Sequence, residues 1–266
     1  MSLTPEGLSA QTVVAASNGW VWIPDNATTT ETDDYLIVRF PDYFDHPLEL
    51  VRFAPEGPVA PAVTGVLDRA REYGLPHLWW CVRLDSPPGV TELLTTRGAV
   101  VAETLDVLAS DLSSGAPSLP PPAASVELRW STDIATARDG LALGAEVFGG
   151  SVPPEDRLAE NVRRDSETFA NGEGGMVVAY AGGVPLGCGA VTVTDSGIAR
   201  LWFGAVAESA RGQGVYRAVL GARLEYGARH GATMALVKGR IETSGPILRK
   251  AGFAAYGQEL IYKVPL

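Results

Sequence analysis

The chain has 266 residues and a mass of 28.0 kDa, of which 46% are apolar and 20% charged, enough to bury one large or two small cores and too apolar for a disordered chain. No run approaches the roughly 20 uninterrupted apolar residues of a membrane helix. The net charge is −10, and without a basic stripe extended nucleic-acid binding is disfavoured.

The N-terminus lacks a basic segment followed by an apolar one, so no secretory signal is expected. Two cysteines, Cys81 and Cys188, exclude a disulfide framework, and His46, His77 and His230 fall in no metal-ligand spacing. Together these features predict a reduced, cytoplasmic protein.

In chain order, β-branched or aromatic runs predict strands at 13–16, 19–23, 35–40 and 48–53. Apolar residues at helical spacing predict a helix at 59–73, stopped by Gly74. A short strand at 78–82 follows, then a helix at 88–96 and a strand at 100–108. Trp79 and Trp80 should face opposite sides of their strand. Residues 110–125 hold four prolines among Ser, Gly and Ala, the composition of an extended linker. We therefore expect domains at 1–110 and 126–266, joined by a Pro-rich linker at 111–125.

Beyond the linker, a strand is expected at 126–130 and helices at 133–148 and 155–170. Strands at 176–181 and 185–194 meet at Gly182-Gly183, a hairpin signal. A strand at 198–206, a helix at 214–229, a strand at 234–237, a short helix at 245–250 and a strand at 259–264 complete the chain. Both halves share the order helix, strand, helix, Gly turn, strand, which suggests duplication. Charge differs between them: residues 1–125 hold 6 Lys and Arg against 16 Asp and Glu, and the remainder holds 15 of each.

The sharpest local signal is Arg211-Gly-Gln-Gly-Val-Tyr-Arg-Ala-Val-Leu, between a strand and a long helix. Gly212 and Gly214 allow a tight turn that aims backbone N–H groups at a ligand. Those groups lie at a helix N-terminus, where the dipole favours an anion, and Arg211 adds a cation. This is a diphosphate cradle, but without the Gly-Lys-Ser/Thr of a P-loop or the third glycine of a dinucleotide fingerprint.

Residues 198–253 resemble the core of the GCN5-related N-acetyltransferase (GNAT) family. Val206…Arg211-Gly-Gln-Gly-Val-Tyr fits its first signature at five of six positions, with Tyr216 replacing a small residue. Ser244-Gly-Pro-Ile-Leu-Arg-Lys-Ala-Gly-Phe253 fits the second, and the resemblance covers 126–266. It implies an α/β protein of two acyl-CoA N-acyltransferase-like domains, each a mixed, mostly antiparallel sheet flanked by helices. It implies acetyl-CoA as acyl donor, with Ala205, Val206, Arg211, Gly212, Gln213, Gly214, Val215, Tyr216 and Ser244 binding it and the Val206 N–H polarising the thioester carbonyl. Tyr216 could crowd the diphosphate or turn outward against adenine. The first half resembles a truncated copy whose cradle position holds Pro55-Glu-Gly-Pro58, so no coenzyme A is expected there.

The family's glutamate base maps onto Arg200, which cannot be a base, and its tyrosine acid maps near Leu248. Substitutes are Glu146 and Tyr256, with Asp156, Glu160, Glu208 and Tyr262 weaker and a water relay an alternative. Arg200 either pairs with a neighbouring carboxylate or binds a carboxylate of the acceptor. Cys188 reads as core and His230 as a helix cap. The expected activity is N-acyl transfer to a small-molecule amine, with no nucleic acid or membrane partner. The alternative is a non-catalytic acyl-CoA-binding or regulatory module.

Overall fold

The structure is a computed structural model that describes residues 8–122 and 125–266. The first half runs α1 (Ala10–Asn18), β1 (Thr28–Glu31), β2 (Tyr35–Arg39), β3 (Leu48–Phe53), α2 (Val59–Arg71), β4 (His77–Val82), α3 (Val90–Thr95) and β5 (Val100–Asp111). The second runs β6 (Glu127–Trp130), α4 (Ile134–Phe148), α5 (Glu155–Ala170), β7 (Gly174–Ala181), β8 (Val184–Val193), β9 (Ile198–Val206), α6 (Val215–Arg229), β10 (Met234–Arg240), α7 (Ser244–Lys250) and β11 (Ala254–Pro265).

All eleven strands join one sheet in the order β1-β2-β3-β4-β11-β5-β10-β9-β8-β7-β6. The order is nearly a palindrome of structural roles. On one side β3 and β4 are parallel, and on the other β9 and β10 are parallel. Between them lie β11 and β5, antiparallel to each other, and each has crossed over. The last strand of the first half, β5, pairs with β10 of the second; the last strand of the second, β11, pairs with β4 of the first. The two halves separated at 111–125 therefore complete one another's sheets.

The register decides where side chains point. Tyr262 and Val264 of β11 enter the core under α2 and α3 with Leu48, Leu78 and Trp80. Leu108 of β5 enters the core under α6 and α7 with Leu201, Leu220 and Leu248. These four helices share one face of the sheet. On the other face, α1 lays Val13 against Val107, Ala109, Met234 and Leu236, directly over the crossed strands. The helix α4 covers β8 and β9 through Leu143. Trp80 is fully buried while Trp79 stacks on His46 on the opposite face, as the alternation requires.

Three expectations are corrected. Residues 13–16 form part of α1, because Ser9 caps Thr12 N–H and Val13 and Ser17, four apart, are the residues buried on the seam. Residues 19–23 form no strand, although Val21 and Ile23 pack on β2 and β3. The strand β1, a Thr-rich run, lies outside the expected set. The Pro-rich stretch is packed: Ala116 and Leu119 lie against the α6 core, and Pro122 Cα would come within 2.9 Å of a Cβ at Gly214.

Asp133 caps α4 by accepting from Thr136 N–H (2.9 Å) and Oγ1 (2.8 Å). The Thr136 backbone and side-chain bonds hold its carboxyl below the ordinary range. Asp133→Ala should cost about 1 kcal/mol at neutral pH. Because the folded pKa is lowered, that contribution is present above the unfolded carboxylate pKa and is lost as pH falls through the folded one. Denaturant titrations of both proteins should thus converge in acid.

Candidate active site

The strands β9 and β10 are in register from Ile198↔Met234 to Leu201↔Val237, and there their pairing ends. The cause lies in β9. Trp202 pairs with Ala190 and Ala205 with Cys188, so Phe203 and Gly204 together oppose Gly189. This bulge puts Phe203 at φ +55°, the one non-glycine residue with positive φ among those described. Such a backbone costs of order 1–3 kcal/mol and must be held. The Phe203 ring fills the notch left by Gly144 on α4, where a Cβ would overlap it, and it lies 5.6 Å from the Phe148 ring.

Past the bulge, Ala207 N–H donates to Leu186 of β8. By alternation, the main-chain groups of Val206 and Gly204 face the gap toward β10. An extended chain can pair there as an added strand. The gap ends at the glycine turn. Arg211, Gly212 and Gln213 are exposed, and Gly212 (φ +76°) and Gly214 (φ +84°) adopt the left-handed conformation. Gly214 precedes Val215, the first residue of α6, and no side chain caps this helix. Its first N–H groups are left for an anion. Ser244 stands across β10 at the start of α7, where its hydroxyl accepts from Arg240 N–H (3.0 Å).

Tyr216 takes neither of its two expected positions. Its ring turns inward against the α6 core, and its hydroxyl reaches the underside of Gly204. Beside it lies Arg223, which sequence reasoning missed. It is 1% exposed, and its guanidinium occupies the space under Gly189 and Gly204. Nη1 donates toward Trp202 O (3.3 Å) and Ala190 O (3.4 Å), and Nε toward Val219 O (3.3 Å). The signal was an arginine four residues from Val219 on the buried face of a helix, opposite a glycine-bearing strand.

The remaining candidates do not gather at the gap. Glu146 points to solvent from the outer side of α4. Tyr256 lies on β11, with β5 and β10 between it and β9, and its hydroxyl donates to Leu8 O (3.2 Å) beneath α1. Arg200 pairs with no carboxylate among the described residues, which corrects one of its two readings. It donates to Gly19 O (3.2 Å), and burial pushes its pKa down. Arg83 donates to the adjacent Asn18 O (2.6 Å), so one arginine from each half caps the C-terminus of α1. Cys188 is fully buried, and burial pushes its thiol up to about 12, unsuited to nucleophilic work at neutral pH.

On the α1 face, a cavity of about 230 Å³ opens where β3 and β4 part after Leu50 and Trp80. Its lining includes Glu49, Trp79, Cys81 and Glu103. Glu103 pairs with Arg240 through Nε (3.1 Å) and Nη2, and Arg240 lies 5.1 Å over the Phe148 ring. These contacts run from the cavity to the β9 bulge and draw on both halves of the chain. At the cradle position of the first half, Glu56 N–H donates to Asp34 Oδ1 (3.2 Å). No group of metal-ligating side chains occurs among the described residues.

A parallel strand pair split by a bulge, above a glycine turn at a helix N-terminus, defines an acyl-CoA N-acyltransferase fold, and the chain carries its frame twice. Residues 146–242, within the second half, match the model of the Acetyltransferase (GNAT) family. No curated protein matches the chain. Among solved structures, a GCN5-related N-acetyltransferase from Kribbella flavida is 17% identical with a TM-score of 0.67, covering 98% of this chain and 97% of that one. A tandem GNAT protein from the clavulanic acid biosynthesis pathway is 16% identical with a TM-score of 0.61, covering 97% of each chain. A GCN5-related N-acetyltransferase from Sphaerobacter thermophilus is 16% identical with a TM-score of 0.64, covering 97% of this chain and 85% of that one.

Proposed function

We propose that the protein transfers acetyl from acetyl-CoA to the amine of a small-molecule acceptor, using the site in its second half. The observation that carries this reading is the continuity of the β9–β10 gap with the uncapped N-terminus of α6. The N–H groups of Gln213 to Tyr216 and the Arg211 guanidinium would hold the diphosphate. The Val206 main chain would hold the pantetheine arm, since by alternation Ala205 turns its own groups to β8, with the Val206 N–H polarising the thioester carbonyl. Holding donor and acceptor together supplies much of the acceleration in such a reaction. The acceptor would approach from the α1 face, where the carboxylates Glu49 and Glu103 suit an ammonium and Trp79 an apolar body.

The test is calorimetric titration of acetyl-CoA into the protein and into Arg211→Glu. Micromolar binding is expected, weakened at least about tenfold by the charge reversal. Absence of binding to the unaltered protein overturns the reading. Binding without thiol release against a panel of amines would favour the non-catalytic acyl-CoA module instead.

A further inference from the structure

The cavity where β3 and β4 part is lined by charges of both signs: Glu49 on β3, Arg83 just past β4 and Glu103 on β5. Most charged groups near it are already matched. Glu103 pairs with Arg240, and Glu259 with Lys238. Glu49 has no such cation. Among the described residues the one basic group within ion-pair distance is His46 Nδ1 at 3.5 Å, and that imidazole lies flat on Trp79 with ring centroids 3.6 Å apart. Lys263 Nζ sits over the same indole at 5.7 Å, not on Glu49. Arg83 pairs with no carboxylate among the described residues. It donates one Nη1 bond to Asn18 O (2.6 Å) at the end of α1. Glu49 and Arg83 do not pair with each other, although both line a single cavity of about 230 Å³. A carboxylate and a guanidinium each form their strongest hydrogen bonds with an opposite charge. One small cavity therefore offers an anion and a cation at once, and a ligand carrying both complements satisfies the two together.

We propose that this cavity holds the zwitterionic head group of an amino acid, its ammonium on Glu49 and its carboxylate on Arg83, and that the acceptor is an amino acid with a further amine on its side chain. The role as acceptor rests on the function proposed above; the binding rests on the cavity alone. The head-group ammonium is not the attacking nitrogen. Attack requires an unprotonated amine, whereas Glu49 favours a charged one, and Glu49 is separated from β9 in the sheet by β4, β11, β5 and β10. A second amine must therefore reach the thioester. Trp79, Leu105 and Ile261 also line the cavity and suit the apolar part of the side chain between the two ends. In the transfer itself, the side-chain nitrogen bonds to the acetyl carbonyl carbon as the C–S bond breaks. The sulfur leaves with the electron pair and takes up, through solvent, the proton that the nitrogen sheds. The first half thus acts as the recognition domain for the second.

The test is calorimetric titration of the full chain, without coenzyme A, with three matched probes. L-Lysine carries both head-group charges and a side-chain amine, cadaverine lacks the carboxylate, and 6-aminohexanoate lacks the α-ammonium. Lysine should bind at least about tenfold more tightly than either of the others. Glu49→Gln keeps the shape and should weaken lysine about tenfold while changing 6-aminohexanoate less than about twofold. Arg83→Met should weaken lysine and 6-aminohexanoate and leave cadaverine within about twofold, and Arg83→Lys should restore part of the loss. Because Arg83 also caps α1, thermal melts accompany its variants, and if Arg83→Met does not fold the Glu49→Gln arm decides alone. Equal affinity for the three probes, no binding of lysine at millimolar concentration, or lysine binding indifferent to Glu49→Gln would each overturn the proposal. Acetyl-CoA affinity, titrated separately, should be unchanged in every variant. If acetyl-CoA fails to bind the unaltered chain, the proposed function falls, and the crossed pattern of the three probes still decides what the cavity holds.

Discussion

Ending the chain before β11 is expected to leave neither half folded, although only the last thirteen residues are lost. The strand pairs with β4 from Leu260↔Val82 to Pro265↔His77, and with β5 along nearly its whole length. Removing it strips Tyr262 and Val264 from the first-half core and bares the edges of two central strands. Burial of one large apolar side chain contributes roughly 1.5–3 kcal/mol, and a protein of this kind has only about 5–15 kcal/mol in hand. The same topology predicts that residues 1–117 and 118–266, produced as separate chains in one cell, co-purify in equal amounts. Either chain alone should aggregate, since each lacks the strand its sheet needs and exposes the strand it was meant to give. Size-exclusion chromatography with light scattering checks this. A monomeric first segment that unfolds cooperatively on its own would overturn it.

That exchange was the part of the fold least legible in the sequence. The runs at 100–108 and 259–264 read correctly as strands, but nothing local to Leu108 or Tyr262 says which half of the chain each will pair with. Partner choice is a tertiary property, set by the two parallel pairs β3–β4 and β9–β10 each presenting an unfilled side. Residues 13–16 misled for a related reason. Val13-Val14 has strand propensity, yet a capping serine and the open seam above β5 and β10 favour a helix there. The turn before α6 was legible because glycines 212 and 214 meet a backbone demand that the sequence states directly. The bulge was half legible, since Gly204 inside an apolar strand is a known mark of one. Arg223 was not, because its significance comes from Gly189 and Gly204 on two strands distant in sequence. A one-helix reading sees only an arginine among alanines and leucines.

The second large effect is expected from Lys238→Met, at the seam itself. Glu259 of β11 is fully buried and gathers donors from three other elements: Lys238 Nζ of β10 (2.7 Å), Ser17 Oγ of α1 (3.0 Å) and Cys81 Sγ of β4 (3.5 Å). Burial, and after it the adjacent Glu259 carboxylate, pushes the Cys81 thiol up to about 12, so it remains a neutral donor. Lys238 is therefore the cation that balances Glu259, with a side chain only 18% exposed. Methionine keeps the length and the apolar stem but leaves a buried carboxylate with two neutral donors. Removing one partner of such a pair costs about 3–5 kcal/mol, which for a chain of this size lowers Tm on the order of 10 °C. Replacing both, as in Lys238→Met with Glu259→Leu, should recover much of the loss, because no unbalanced charge remains. Urea titration of the single and double variants decides between this account and one in which the pair is incidental. A loss below about 1 kcal/mol for Lys238→Met, in the range of exposed ion pairs, would mean that solvent already reaches Glu259. A full loss that the double variant rescues would place the coupling of the two halves in one buried charge pair, at the point where four elements from both halves meet.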